Sequence, residues 1–231
     1  GVKAEMTSGI RSGMFRFTYP ASEKAFIMID MNHTLWQSCE WSNLRVENDS
    51  TLTGYKLVKG WGPERHVYFT AVFSKKLKDF RIMQDKKPVI YNTSRFRSTN
   101  EAWGKNLMAC LSFATEEGEE VTVKTSVSAV STAGAKLNMQ ELDGMTFDGL
   151  RDKGINLWEQ ELEKYRITAD QKTKETFYTS AYHAALHPFL FQDADGSFRG
   201  LDKNIEKAEG FTNYTTLSLW DTYRALHPWF N

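Results

Sequence analysis

The spacing of apolar residues changes near residue 130, and this change constrains the fold more than any other feature. Before it, Phe15, Phe17 and Tyr19 alternate with polar neighbours, a period of two that is typical of a half-buried strand. The apolar run 26–29 predicts a strand buried on both faces. Further strands are predicted at 34–41, 51–58, 67–73, 106–113 and 121–130. Many strands separated by turn-rich clusters predict an antiparallel β-sandwich.

After residue 130 the spacing becomes helical. A short helical piece is predicted over 131–143, and apolar residues at spacings of three and four predict an amphipathic helix over 147–162. A third helix is predicted to start near Thr168, with Gln171 in a capping box. We therefore predict a β-then-α protein, divided into part of an N-terminal β-sandwich (1–143), a linker helix (144–167) and the start of a helical domain (168–231).

The charge balance excludes some classes of partner. Lys plus Arg equals Asp plus Glu at 29 each, so the chain has no basic footprint for nucleic acid. No apolar run reaches transmembrane length, and no signal peptide is present. Because the chain opens on a strand-like segment and stops just after its richest motif, we interpret it as an internal piece of a longer protein. Cys39 and Cys110 lie in apolar segments; buried free thiols are favoured, and a disulfide stays open.

The motif at 215–228 is the part of the sequence best suited to bind a substrate. On a helix, Trp220, Tyr223 and Arg224 would share one face, and Asp221 would stand three residues from Arg224. An aromatic wall beside a carboxylate and a guanidinium suits a sugar, whose C–H face stacks on rings while charged groups bind its hydroxyls. The alternative is structural, with an Asp–Arg pair at a helix start and the aromatic residues in the core.

Two other patterns resemble metal sites. His183 and His187 stand four apart on the third predicted helix, but Ala184 occupies the place where a metalloprotease has Glu. The segment 193–196 has the spacing of a calcium loop, but Asn204 stands where the bidentate Glu would be. We therefore predict hydrogen-bonded histidines and a tight turn, and assign no metal ligand to this chain.

Several motifs in order carry a resemblance to a known family. The segment 218–228 (SLWDTYRALHP) closely resembles a signature of glycoside hydrolase family 92, whose members are exo-acting α-mannosidases, many of them bacterial. Segments 177–183 (FYTSAYH), 193–200 (DADGSFRG), 67–75 and 126–141 are similar to other motifs of that family. The resemblance covers essentially the whole chain. It implies that the helices after residue 168 begin an (α/α)6 catalytic barrel.

The resemblance also implies an activity. The parent protein would remove terminal α-linked mannose, of the α-1,2 type, from mannans or N-glycans, with inversion and with an essential calcium ion. The general acid Glu and the general base Asp would lie beyond Asn231 and the calcium ligands outside this chain, so no catalytic residue is assigned here. Trp220, Asp221 and Arg224 carry over as substrate-binding residues.

Three further expectations complete this interpretation. The family has a Gly-Trp pair where Trp61 stands, so Trp61 either reaches toward the sugar or caps the sheet. The parent would be exported to the periplasm or the bacterial cell surface, and the remaining segments of the same protein would be partners of this chain.

The alternative from another class is a non-catalytic carbohydrate-binding or interaction β-sandwich, which a downstream Glu and Asp would exclude.

Overall fold

Two antiparallel sheets form the first part of the chain. The computed structural model describes residues 1–35, 37–60, 62, 64–89, 100–215 and 226–230. The strands in this part are β1 (Lys3–Ser8), β2 (Ser12–Tyr19), β3 (Ser22–Asp30), β4 (Ser38–Asn48), β5 (Thr51–Lys59), β6 (Arg65–Phe73), β7 (Asp79–Gln84), β8 (Lys87–Pro88), β9 (Glu101–Gly104), β10 (Leu107–Thr115) and β11 (Glu119–Ser128). Two short strands, β12 (Ser197–Arg199) and β13 (Ile205–Lys207), come later in the chain and pair with each other. One sheet has the order β1-β2-β11-β6-β5-β4-β9 and the other β3-β10-β7-β8.

The core lies between these two sheets. Strand β10 shows the physical pattern most clearly, because every second residue from Leu107 to Phe113 is fully buried while the residues between them are not. The seven-stranded sheet contributes Leu44, Leu52 and Val121 to the same apolar cluster. Burying one face of each sheet against the other is the architecture of a sandwich, as the alternation in the sequence predicts.

Strand β3 corrects one expectation. The run 26–29 is a strand, but the prediction that both of its faces are buried is wrong. Ile27 and Ile29 pack against the core, whereas Phe26 is 53% exposed and Met28 is 52% exposed. The reason is that β3 belongs to a sheet with only one face in the sandwich. The predicted strand at 34–41 also starts later, at Ser38.

Helices follow the sandwich. They are α1 (Thr132–Met139), a 3₁₀ turn (Gln140–Leu142), α2 (Phe147–Leu162), α3 (Gln171–Ala185) and α4 (Leu226–Phe230). The predicted bounds of α2 are confirmed. The predicted start of α3 is wrong by two residues, because the carboxylate of Asp170, rather than Thr168, caps the helix by accepting from Thr173 N at 3.1 Å. None of the helices described is long and apolar enough to cross a membrane.

The first helices pack on the outer face of the seven-stranded sheet. Helix α1 lies over β11 and β6, where Thr70 and Ser126 are each 1% exposed. The start of α2 makes a second apolar cluster, in which Phe147 and Leu150 pack with Met14 of β2. The helical part of the chain is therefore attached to the sandwich by both polar and apolar contacts.

The two cysteines do not bond to each other. Cys39 is buried in β4 of the seven-stranded sheet, and Cys110 is partly exposed in β10 of the other sheet. Both are free thiols. The structure thus agrees with the favoured prediction of free cysteines, although only Cys39 is fully buried.

An ion-pair cluster joins β1, β2 and α2, and it gives a pH prediction. Arg16 donates to both carboxylate oxygens of Glu5 at 3.0 Å and to Asp148 at 3.0 Å, and its guanidinium lies 4.3 Å from the centre of the Phe147 ring. Hydrogen bonds from Arg16, and secondarily from Lys3, lower the pKa of Glu5 from its ordinary 4.5 to about 2.

Because the pKa of Glu5 is lower in the folded chain than in the unfolded one, its stabilisation is complete above about pH 4.5 and is lost as the pH falls toward 2. We expect the melting temperature of the wild type to fall more steeply over this window than that of Glu5→Gln. Thermal scans between pH 7 and pH 2.5 measure this difference. Glu159→Gln, on the exposed side of α2, is the control; parallel wild-type and Glu5→Gln curves would contradict the assignment.

Candidate functional site

The residues predicted to bind a substrate lie outside the described part of the chain. These are Trp61 and the segment 216–225, which contains Trp220, Asp221 and Arg224. The structure does define the residues on either side of them: Gly60, Gly62 and Glu64 beside Trp61, and Thr215 and Leu226 beside the segment. The structure therefore describes the flanks of the candidate site.

The chain enters the segment 216–225 from a short antiparallel pair. Residues 189–192 run alongside residues 213–215, with Leu190 bridged to Tyr214. Phe189 donates its N–H to Thr215 Oγ1 at 3.1 Å, and Thr215 N donates to Phe189 O at 2.8 Å. Since both bonds involve Thr215, the last described residue before the segment 216–225 is held in place by its backbone and its side chain.

The chain leaves the same segment at α4, which packs on the earlier helices. Leu226 is buried at 6% exposure. The ring of Trp229 lies 4.0 Å from that of Tyr165 and 6.0 Å from that of Phe177 of α3 (between centroids). Thr215 and Leu226, the described residues on either side of the segment, are therefore each held by contacts of their own.

A turn at 193–196 joins this region to the sandwich through a buried carboxylate. Asp193 is 4% exposed. Its Oδ2 accepts from Ser128 Oγ at 2.6 Å, and its Oδ1 accepts from Asn138 Nδ2 at 2.8 Å. Gly196 closes the turn with a positive φ of 85° and donates its N–H to Asp193 O at 2.9 Å. The predicted tight turn is confirmed, and Asp193 is engaged by protein donors.

Glu64, in the connection between β5 and β6, lies beside the hairpin of β12 and β13. Lys203, between β12 and β13, donates from Nζ to Glu64 O at 3.2 Å. Arg199 of β12 donates to the carbonyls of Ala129 and Lys203, each at 2.9 Å. The hairpin is therefore bonded both to Glu64 of the β5–β6 connection and to the chain that leads into α1.

A polar aromatic cluster that was not predicted lies on β5 and β6. Tyr55 of β5 faces Tyr68 of β6 with ring centroids 4.7 Å apart, and its hydroxyl makes a 3.0 Å hydrogen bond with Nδ1 of His66. Desolvation first, and then the charge of Arg199, lowers the pKa of His66, which favours a neutral imidazole at neutral pH. Rings with hydrogen-bonding edges can stack on a sugar and bind its hydroxyls.

A sequence signal for this cluster exists. A Gly-rich turn between two strand-like segments predicts a hairpin, and hairpin pairing would bring Tyr55 and Tyr68 to directly opposite positions. The register of the β5–β6 pairing would also have to be known, because a shift by one residue would place one of the two rings on the other face of the sheet.

The described residues do not offer a calcium site. No group of three or more His, Cys, Asp or Glu side chains in that part of the chain is arranged to hold a metal ion. His187, one of the two spaced histidines, packs its ring edge-on against Phe189 at 4.4 Å between centroids. A calcium ion implied by the family resemblance thus has no ligand set among these side chains.

Comparison with known families decides the identity. The sequence model of the glycosyl hydrolase family 92 N-terminal domain matches residues 1–128. The chain belongs to glycosyl hydrolase family 92. The model of the family 92 catalytic domain matches residues 134–231, so the helices α1 to α4 stand at the start of that catalytic domain. The domain boundaries predicted after residues 143 and 167 stay predictions.

Solved structures of family 92 agree. The chain is similar to the family GH92 α-mannosidase BT3965 from Bacteroides thetaiotaomicron, with 82% identity and a TM-score of 0.96 over 100% of this chain. A structure of BT3965 in complex with mannoimidazole matches equally well. This chain spans only 31% of the length of BT3965.

More distant members of family 92 share the fold. The family hydrolase ccman5 is 26% identical over 96% of this chain and 30% of its own, with a TM-score of 0.84. The inverting mannosidase BT2199 from Bacteroides thetaiotaomicron is 21% identical over 100% of this chain and 30% of its own, with a TM-score of 0.85. No curated protein matches the chain.

Proposed function

We propose that the whole protein to which this chain belongs is an exo-acting α-mannosidase that hydrolyses terminal α-linked mannose. The observation that carries this proposal is the 82% identity to the α-mannosidase BT3965 across the entire chain. At this identity the fold and most local side chains are shared, and the match continues through residues 134–231 into the catalytic domain. That continuation favours a hydrolase over a non-catalytic sandwich module.

The chain's own contribution would be to bind the sugar. Trp220, Asp221 and Arg224 are proposed as substrate-binding residues, with Trp61 contributed by the sandwich. An indole offers an apolar wall for the C–H face of a mannose ring, while an ionised carboxylate accepts from its hydroxyls. Glycoside hydrolysis needs two carboxyl groups, one as acid and one as base or nucleophile. These are proposed to lie outside this chain.

The finer details rest on the family resemblance. We propose the α-1,2 linkage, mannans or N-glycans as substrates, and inversion of configuration. BT3965 in complex with mannoimidazole supports a mannose-sized sugar as the bound group. Calcium is proposed as a cofactor of the whole protein and not of this chain, since the described side chains do not fit a calcium site. None of the roles proposed for this chain depends on calcium.

Turnover by two lengths of the protein tests the proposal. A protein of the length of BT3965 is expected to release mannose from an α-1,2-mannobiose and from an aryl α-mannoside. The 231-residue chain by itself is expected to show no saturable turnover, because it would lack the acid and base. Proton NMR of the first-formed anomer tests inversion, which predicts β-mannose. Robust turnover by the 231-residue chain after repurification would overturn the placement of the acid and base.

The location of the protein is also a proposal. We propose export to the periplasm or the bacterial cell surface, where mannans and N-glycans from outside the cell are met. Fractionation of the producing cells, with an antibody against the sandwich, tests it. Recovery of the protein only in the cytoplasmic fraction would refute export.

A further inference from the structure

A series of hydrogen bonds links the sandwich to the entry of the segment 216–225. Arg11, in the connection between β1 and β2, donates from Nε to Gln192 O at 2.7 Å. The side chain of Gln192 accepts from Asn213 N at 2.6 Å, and Asn213 Nδ2 donates to Phe191 O at 2.7 Å. Gln192 and Asn213 belong to the antiparallel pair that ends at Thr215. The guanidinium of Arg11 therefore acts on that pair directly.

Arg11 is itself held firmly. Its backbone N–H donates to Glu141 Oε2 at 3.1 Å, and the neighbouring Ile10 N donates to Glu141 Oε1 at 2.7 Å. Its carbonyl accepts from Val127 N at 3.3 Å. Because the backbone of Arg11 is held and its guanidinium is a planar donor, its hydrogen bond can fix the position of the acceptor. The carbonyl of Gln192 is thus located relative to the sandwich.

We propose that Arg11 is a positioning residue for the substrate-binding segment that begins at residue 216. It holds Gln192, Gln192 holds Asn213, and the paired strands hold Thr215, the residue next to that segment. The role of the segment in sugar binding rests on the proposed function. The mechanical part, in which Arg11 fixes the strand pair, rests only on the bonds described above.

Positioning of this kind matters because the geometry of a bound sugar is demanding. A displacement of about 1 Å caused by a change far from the chemistry can cost on the order of 100-fold in rate. Arg11 stands 181 residues from Gln192 in the sequence, so only the fold brings the two residues together. Its loss should loosen the strand pair that precedes the segment without removing any group that is proposed to contact the sugar.

Hydrogen exchange tests the mechanical part without any assay of activity. In Arg11→Met the amides of Phe189, Phe191, Asn213 and Thr215 are expected to exchange about tenfold faster, since local opening of the pair becomes easier. Arg11→Lys keeps a cationic donor and should restore most of the protection. Arg81→Met, on an exposed Arg of β7 whose recorded partner is Asp79, is the control. Unchanged exchange in Arg11→Met, or faster exchange that extends equally into β10, would overturn the proposal.

Kinetics test the functional part in a protein of the length of BT3965. The assay is run well below the melting temperature of each variant. Arg11→Met is expected to lower kcat/KM on an aryl α-mannoside about tenfold, while kcat/KM of Arg11→Lys and Arg81→Met stays within about twofold of the wild type. If Arg11 acts through the segment, its effect should shrink when Asp221→Asn is already present. Full additivity, or a lower melting temperature with normal kcat/KM, would reduce Arg11 to a structural role. Absence of turnover in the wild type would instead refute the proposed function, and the exchange experiment would still judge Arg11.

Discussion

Asp221→Asn is expected to lower kcat/KM on α-mannosides by about 10- to 150-fold in a protein of the length of BT3965, with little change in melting temperature. This range corresponds to about 1.5–3 kcal/mol, the contribution of a hydrogen bond to an ionised group. An amide binds a hydroxyl more weakly than a carboxylate and can present a donor to a donor. Steady-state kinetics and thermal unfolding on the same preparation measure both quantities.

The division of that effect between kcat and KM is informative. If the bonds from Asp221 tighten as the sugar ring flattens toward the oxocarbenium-like transition state, kcat and kcat/KM fall together. If the bonds are equally strong throughout the reaction, KM alone rises. Asp221→Glu keeps the negative charge but changes the length of the side chain, so it serves as the control that separates charge from geometry.

The structural alternative gives the opposite pair of results. If Asp221 exists only to pair with Arg224 at a helix start, Asp221→Asn should lower the melting temperature and leave the kinetics of the surviving enzyme normal. Arg224→Met would then show the same loss of stability. A destabilised but kinetically normal Asp221→Asn would return the segment 220–224 to a structural role.

Local patterns predicted local structure well. The bounds of α2 followed from apolar spacing, because a helix that packs on a sheet needs an apolar stripe with a period of 3.6. The strands β5, β6, β10 and β11 followed from alternation. By contrast, the run 26–29 could not reveal that only one face of β3 meets the core, since an apolar side chain is allowed on an exposed surface.

Contacts between distant residues were beyond the sequence. Nothing near Arg11 indicates that its guanidinium meets Gln192, and the pairing of Asp193 with Ser128 joins residues 65 apart. The pattern at 193–196 did predict a turn, but a buried carboxylate and a calcium ligand have the same residue type. What distinguishes them is the set of donors that the fold brings to Asp193, and that set comes from α1 and β11.

Asp193→Ala is expected to destabilise the protein by about 3 kcal/mol, the largest effect on stability that we predict. The change would leave Ser128 Oγ and Asn138 Nδ2 without the acceptor that each now has at 2.6 and 2.8 Å, and buried donors without partners cost about 1–3 kcal/mol each. Asn138 would keep its bonds to Val127 O and Ala194 N, so the loss should stop short of the full sum. Urea unfolding measures the change in the free energy of unfolding.

The same turn offers a matched control. Asp195 is exposed and accepts from Ser197 N and Oγ at 2.9 Å, so Asp195→Ala removes a carboxylate and two hydrogen bonds from a solvated position. It is expected to cost about 1 kcal/mol or less, because water can replace the acceptor. If Asp193→Ala costs no more than Asp195→Ala, the buried carboxylate does not hold the helical region to the sandwich.

Gly134→Ala approaches the same carboxylate from the other side. Alanine in a helix is ordinarily favoured over glycine by about 1 kcal/mol, and Gly134 lies in α1. Here the added Cβ would stand 2.1 Å from Oδ2 of Asp193 and 2.7 Å from Oγ of Ser128, so the carboxylate would have to move away from its donor. If the Asp193 cluster is as rigid as its burial indicates, Gly134→Ala lowers the free energy of unfolding even though alanine has the higher helix propensity. The loss should be smaller in the Asp193→Ala background, because the oxygen that the new Cβ would meet is absent there.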